Sequence, residues 1–386
     1  MTEQEPYVPA FAIACGEAAL QDPTNPLSWY AKAHEYRTNG DIDAWRTTID
    51  TVLEMPHRSP EQRWHRAWAQ MARDDWSGWS DYEVRTLYAD DRSPRTTVDD
   101  WVRWIRDPWD GHEDLSDKTI LVLSEQGVGD NIQMLRFLAP LADRARSVIV
   151  KVYPRLVPLV QANVDERVTV MINGVDKPFV FDRYTNIMSL PHLFGRLPTF
   201  VPWHGPGRRS PLAARMRPIR AGICWAGNPF YGNDEQRSMP LAYIAPLLDR
   251  PDVEWYSLQV GERAGDADRY PTIRRPWPPL VNFGETADLI AELDVVVSVD
   301  TAVAHLAGYL DIPTYLMVPC IADLRWGLGD RTPWYPSVRI IRQSSAGDWA
   351  GVVSRLGGFL DQFMSSDGVV ATEPVPSSDR VLSATH

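Results

Sequence analysis

The chain has 386 residues, 44% of them hydrophobic, enough to core two or three domains. Its formal net charge is −12 with no block of Lys or Arg to offset it, which argues against a nucleic-acid or anionic-membrane surface as the main partner. No run of roughly eighteen apolar residues exists, and the start "MTEQEPYVPA" lacks a basic-then-apolar signal pattern. A cytoplasmic protein without a transmembrane segment is therefore expected, with peripheral membrane association left open. Cys15, Cys224 and Cys320 are far apart and odd in number, which predicts buried thiols in a reducing compartment and no zinc site.

Nine of the sixteen tryptophans fall by position 109, in a region without Val/Ile-rich runs. An offset of 34 residues aligns Tyr30 with Trp64, Ala33 with Ala67, Asp41 with Asp75, Ala44 with Gly78 and Trp45 with Trp79. That is the period of a tetratricopeptide helix pair, with small residues where helices pack closely and "NGD" (residues 39–41) as the turn. Residues 1–112 are thus expected to form a small α-helical unit of about two repeats, too few to stand alone and leaning on the adjoining domain.

From Lys118 strands alternate with helices. "TILVLS" (119–124), "SVIVKV" (147–152) and "RVTVMI" (167–172) read as strands, and "NIQMLRFLAPLA" (131–142) as a helix. A Pro/Gly/Arg-rich stretch, residues 196–218, predicts a connection between domains. Beyond it "AGICWAG", "VEWYSLQV", "DVVVSV", "PTYLMV" and "VRIIRQ" read as a second set of strands. Near-continuous apolar strands separated by helices indicate parallel sheets covered on both faces. The predicted fold class is α/β: two Rossmann-like domains, residues 117–215 and 218–350, with a cleft between. A final helix over 348–364 carries an apolar face at Val352, Val353, Leu356, Leu360 and Phe363. The tail, residues 366–386, has little to bury and is predicted to be disordered.

Four strand-to-helix turns carry the candidate chemistry. "SEQGVGDNIQML" (124–135) has Gly127 and Gly129, but Ile132 stands where a dinucleotide fingerprint needs its third glycine, which removes the main support for a nicotinamide or flavin enzyme. Asp130 reads as a helix cap, with or without a part in the chemistry; Glu125 and Gln126 flank the same crevice. "WAGNPFYGNDEQRSMP" (225–240) offers Gly227, Asn228, Asn233, Arg237 and Ser238, a cation beside amide and hydroxyl donors that suits a diphosphate. Ser238 is alternatively a cap for a helix near Leu241. "SLQVGE" (257–262) presents Gln259 at a strand end, where it or the backbone offers groups to a base. "SVDTAVAHLAG" (298–308) places Thr301 and Ala302 in a first helical turn, where N–H groups suit phosphate oxygens. Asp300 sits awkwardly in that anion-binding turn. His305 shares a helix face with Thr301 and reads either as a buried structural histidine or as part of the site.

Taken together, "EQGVGDNIQMLRFLAPL", "WAGNP…ND…RSMPL", "SLQVGE" and "SVDTAVAHLAGYLDIPTY…DLRWGLGDRTPWYPSVRIIRQ…DW" resemble the bacterial tetratricopeptide-linked glycosyltransferases. Their catalytic half is similar to the lipopolysaccharide heptosyltransferases and more distantly to O-linked N-acetylglucosamine transferases. The resemblance implies a GT-B fold with an acceptor-side first domain, a donor-side second domain and a final helix crossing back. It also implies metal-independent, inverting transfer from a nucleotide-sugar co-substrate to a glycan or protein acceptor, with no resident cofactor. By motif, Gly129-Asp130 matches the position of the proposed general base and Arg237 the diphosphate contact. Asp300, Thr301 and His305 match the donor-binding turn, where the aspartate contacts the sugar. Two departures stand out: Ala302 replaces a customary glycine, and the short repeat array weakens recognition of an extended peptide. A sugar-nucleotide epimerase of the same architecture and a non-catalytic repeat-bearing binding protein remain as alternatives.

Overall fold

A computed structural model of the chain describes residues 24–88, 106–174, 179–203, 218–230 and 234–365. The expected disordered tail 366–386, Asn233, Cys15 and most of the Arg-rich connection lie outside the described residues.

The helical unit begins with α1 (Pro26–Asn39), whose start is set by the Asn25 side chain accepting the Leu27 N–H and by proline in the first turn. It stops at Gly40, where φ is +73° and an added Cβ would lie 2.8 Å from Ala346, a close approach to the second sheet's unit that only glycine allows. Asp41 then caps α2 (Ile42–Leu53), and a reciprocal Ser59–Gln62 capping box opens α3 (Pro60–Met71). The short α4 (Gly78–Tyr82) comes next, and a Cβ at Gly78 would meet Met71 and the Ala67 carbonyl within 2.9 Å. Two helix pairs are therefore present, the second abbreviated. Tyr30, Trp45, Ala67 and Trp79, all positions of the 34-residue register, are buried.

The first sheet has the order β3-β2-β1-β4, from β1 (Thr119–Leu123), β2 (Ser147–Val152), β3 (Val168–Ile172) and β4 (Arg183–Asn186). The second has six strands in the order β10-β9-β8-β5-β6-β7: β5 (Ile219–Cys224), β6 (Val253–Ser257), β7 (Ile273–Arg274), β8 (Val295–Val299), β9 (Thr314–Val318) and β10 (Val338–Arg342). Every strand pairing is parallel. All residues of β1, β8 and β9 are buried, as strands covered on both faces must be. The predicted helix over 131–142 is instead α5 (Val128–Met134), a 3₁₀ turn and a second short helix.

In each sheet the chain reverses its direction of winding once, between β1 and β4 in the first and between β5 and β8 in the second. Such switch points open crevices at the carboxyl ends of the strands. Three further helices matter to the site: α6 (Asp234–Arg237), α7 (Phe283–Ala291) and α8 (Ala302–Tyr309).

The final helix, α9 (Trp349–Ser365), buries Val352, Val353, Leu356, Leu360 and Phe363 with Ala221, Ile223, Val297 and Met317 of the second sheet. Arg250 pairs with Asp361, and the Tyr315 hydroxyl donates to the Phe359 carbonyl. Among the described residues this helix stays on its own domain instead of crossing back, because its apolar stripe is taken up by that sheet face.

The other sheet face, the first sheet and the helical unit share one core. Trp76 and Trp79 pack within 6.0 Å of Trp334, ring to ring, and the Trp76 indole donates to the Pro191 carbonyl at 3.2 Å. The helical unit thus bridges the two sheets. Buried Arg136 joins them again, donating to the Trp334 carbonyl at 2.8 Å. No helix among the described residues is long and apolar enough to cross a membrane.

Trp79→Ala removes a buried indole at this three-way junction and is expected to destabilise the chain by about 3–5 kcal/mol, read as a lower urea midpoint. An unchanged midpoint would separate the helical unit from the common core.

Candidate active site

The second sheet's switch point lies between the ends of β5 and β8, where Cys224 is the register partner of Ser298. Gln259, after β6, spans the loop that leaves β5. Its Oε1 accepts the N–H groups of Trp225 (3.1 Å) and Ala226 (2.9 Å), and its Nε2 donates to the Ala226 carbonyl at 3.0 Å. The amide expected to meet a base is engaged in bracing this loop. Burial pushes the Cys224 thiol up to about 11, so it stays protonated at neutral pH.

The next residues hold a cation. The Arg237 guanidinium lies so close over Gly227 that an added Cβ would be 2.5 Å from Nη2. Asp234, buried, accepts from Arg237 Nε (3.2 Å), Ser238 Oγ (2.8 Å) and Arg263 Nη2 (3.2 Å). Ser238 Oγ in turn accepts the Gly227 N–H at 2.9 Å, so it ties the loop to α6 and does not cap the turn at Leu241, where Pro240 stands. Asn228 closes an Asx turn onto the Phe230 N–H at 3.0 Å.

After β8 the residue that caps α8 is Thr301. Its φ of −146° is extended, and its Oγ1 accepts the Val303 N–H at 3.2 Å. Asp300 is left uncommitted to the cap. Burial and the neighbouring Asp323 carboxylate push it up to about 6, against the opposing pull of Arg237 and Arg325.

His305 is buried within α8. Its Nδ1 is 3.0 Å from the Tyr335 hydroxyl, and its ring packs 4.6 Å from that of Trp326. Burial drives its pKa down to about 3, so the imidazole is neutral at physiological pH.

Across the cleft, Asp130 is the third residue of α5. Its Oδ2 accepts the Gly127 N–H at 2.8 Å, the reciprocal half of a cap, while Oδ1 forms an ion pair with Arg325. Burial raises its pKa and Arg325 restrains that rise. Glu125 is held by Arg85 of the helical unit, with Nη2 to Oε1 at 2.6 Å, and also accepts the Met188 N–H. Gly129 brings the two halves together: a Cβ there would be 2.8 Å from His305 Cδ2 and 3.4 Å from Ala302 Cα. Asp130 is therefore the residue next to the contact between α5 and α8.

Asp234, Asp323, Arg325, Arg85 and Tyr82 are the residues that sequence reasoning passed over. "DLR", with an acid two residues before a base just after a strand, was the visible signal for Asp323 and Arg325. Nothing in the sequence singles out Arg85 or Tyr82.

No protein-family model matches the chain. It is similar to Protein FlbA of Caulobacter vibrioides, 24% identical over 369 residues, covering 85% of this chain and 60% of that protein. The chain thus spans about 60% of the length of the curated relative it matches. Among solved structures it is similar to E. coli heptosyltransferase WaaC with ADP (TM-score 0.42, 12% identity, 65% of this chain and 99% of that one). A glycosyl transferase family 9 protein from Veillonella parvula gives a TM-score of 0.47 at 10% identity, with 66% and 99% covered. An O-GlcNAc transferase of Thermobaculum terrenum covers 94% of this chain and 90% of its own, with TM-score 0.29 and 12% identity.

The geometry of the cleft makes two outcomes measurable. Gly129→Ala forces a methyl group against the His305 ring, itself packed on Trp326, and is expected to cost about 1–3 kcal/mol in thermal unfolding. Asp300 is raised when folded, so its contribution to stability is complete below about pH 4 and is lost as the pH climbs through about 6. Asp300→Asn should accordingly raise the melting temperature at about pH 7.5 and leave it unchanged near pH 4. A difference that does not vary with pH would contradict the raised carboxyl.

Proposed function

We propose that the chain transfers a sugar, with inversion and without a metal, from a nucleotide-sugar donor to a hydroxyl of a glycan or protein acceptor in the cytoplasm. The observation that carries this reading is the contact of Gly129 with the start of α8, which sets Asp130 opposite the switch-point crevice of the second sheet. That crevice carries the chemistry a nucleoside diphosphate needs. Thr301 takes the Val303 and Ala304 N–H groups, and the Ala302 N–H stands at the positive end of the α8 dipole. Arg237, anchored by Asp234, supplies a full positive charge beside Gly227. Together they can stabilise the charge that grows on the leaving diphosphate.

Asp300, not used in capping, accepts hydrogen bonds from donor-sugar hydroxyls in this reading. Asp130 takes the acceptor O–H proton as the acceptor oxygen bonds to the anomeric carbon and the bond to the diphosphate oxygen breaks. His305, neutral and bonded to Tyr335, shapes the helix face behind the donor. Gln259 supports the donor loop from the end of β6.

The experiment is a thermal-shift panel of nucleotide sugars, then transfer assays with the donor that raises the melting temperature. Asp130→Asn is expected to bind that donor as well as the wild type and to lose about 10²–10⁴-fold in turnover. Arg237→Ala should weaken donor binding by about 10–100-fold. If no nucleotide sugar shifts the melting temperature, the reading falls.

A further inference from the structure

Arg325 lies after β9, two residues beyond Asp323, and its side chain reaches from the second sheet's unit into the first. Nη1 donates to Asp323 Oδ1 at 2.7 Å, and the same oxygen accepts the Arg325 backbone N–H at 3.1 Å. Nη2 pairs with Asp130 Oδ1 and also donates to Gln126 Oε1 at 3.1 Å. Gln126 is itself held from two sides. Its Nε2 donates to the Tyr82 hydroxyl of the helical unit (2.7 Å), and its carbonyl accepts from the Tyr153 hydroxyl (2.6 Å). With φ at +61°, Gln126 sits in the left-handed region that a non-glycine residue adopts only when its surroundings over-determine it. The side chains of Arg325, Asp130 and Asp323 are 10%, 18% and 12% exposed, so little water screens the network.

We propose that Arg325 is a positioning residue for Asp130: it fixes the carboxylate across the cleft and makes its placement answer to the helical unit through Gln126 and Tyr82. The proposal rests on the reading of Asp130 as the base.

One hydrogen bond on each carboxylate oxygen leaves further lone pairs for an acceptor hydroxyl. The groups facing Asp130 explain why a cation is needed there. Asp323 comes from the loop after β9, Glu125 from the loop before α5, Tyr82 from the helical unit, and Tyr335 and His305 from across the cleft. Glu125 is paired with Arg85, which itself does not touch Asp130, and His305 is uncharged. Burial, Asp323 and Glu125 all favour a protonated Asp130, and Arg325 is the principal opposing charge.

The test uses the full chain with its aspartate carboxyl carbons labelled by ¹³C, the Asp130 signal being assigned by its loss in Asp130→Asn. In Arg325→Gln the Asp130 titration is expected to move upward by about one pH unit or more, and in Arg325→Lys to return at least half-way. With the donor found above, the acidic limb of kcat/KM should move by the same amount. A midpoint unchanged in Arg325→Gln overturns the proposal, as does a rate lowered equally at every pH. Should Arg325→Gln fail to fold, the variant that also carries Asp130→Asn and Asp323→Asn is expected to fold, since it removes both stranded charges; if that variant also fails, Arg325 serves packing alone. Transfer that survives in Asp130→Asn while the titration still answers to Arg325 would instead sink the base assignment and leave the pairing intact.

Discussion

The approach of Gly129 to the start of α8 is the constraint on which the rest of the site depends. A side chain at that position would separate the two helices, because His305 is pinned between Trp326 and Tyr335 and has little room to yield. The contact joins α5, beside Asp130, to the first turns of α8. Two other contacts stabilise the same closure from farther out. Gly284 of α7 lies against Pro158 of the first unit, and Arg136 reaches the Trp334 carbonyl. The helical unit reinforces it with Trp76 and Trp79, which pack on Trp334 while Trp76 is bonded to the first unit at Pro191.

Around that contact the charges are arranged in assigned pairs. Arg237 is oriented by Asp234, Arg85 by Glu125 and Glu83, and Arg325 by Asp130 and Asp323. Asp300 stands outside these pairings, and burial and the Asp323 carboxylate raise it. Such an arrangement holds each guanidinium at low conformational entropy before any ligand arrives, which is the condition for electrostatic stabilisation of a transition state.

Much of the fold was legible because it rests on short-range pattern. The apolar runs at "TILVL" and "DVVVSV" are buried strands, the 34-residue register puts Tyr30, Trp45 and Trp79 in the core, and Gly40 ends its helix. Where a side chain or helix face had a choice of partners, the pattern left the outcome open. Ser238 bonds Asp234 and Gly227 in preference to capping the next turn, Gln259 spends its amide on the neighbouring strand end, and the final helix finds its groove on the second sheet. In each case two chemically equivalent uses were open, and the nearer partner in space was not the nearer in sequence.

The same division applies to the site. The sequence by itself determined which groups stand at the carboxyl ends of strands: Gly129 and Asp130 after β1, Arg237 after β5, Asp300 and Thr301 after β8. It did so because strand, turn and helix start are local features written in patterning and turn chemistry. Only the tertiary structure decided that Thr301 is the cap and Asp300 is not, that His305 is a neutral member of the core, and that Asp130 is paired with Arg325. Those outcomes depend on burial and on contacts between residues far apart in the chain, and electrostatics in a buried cleft are governed by distance in space.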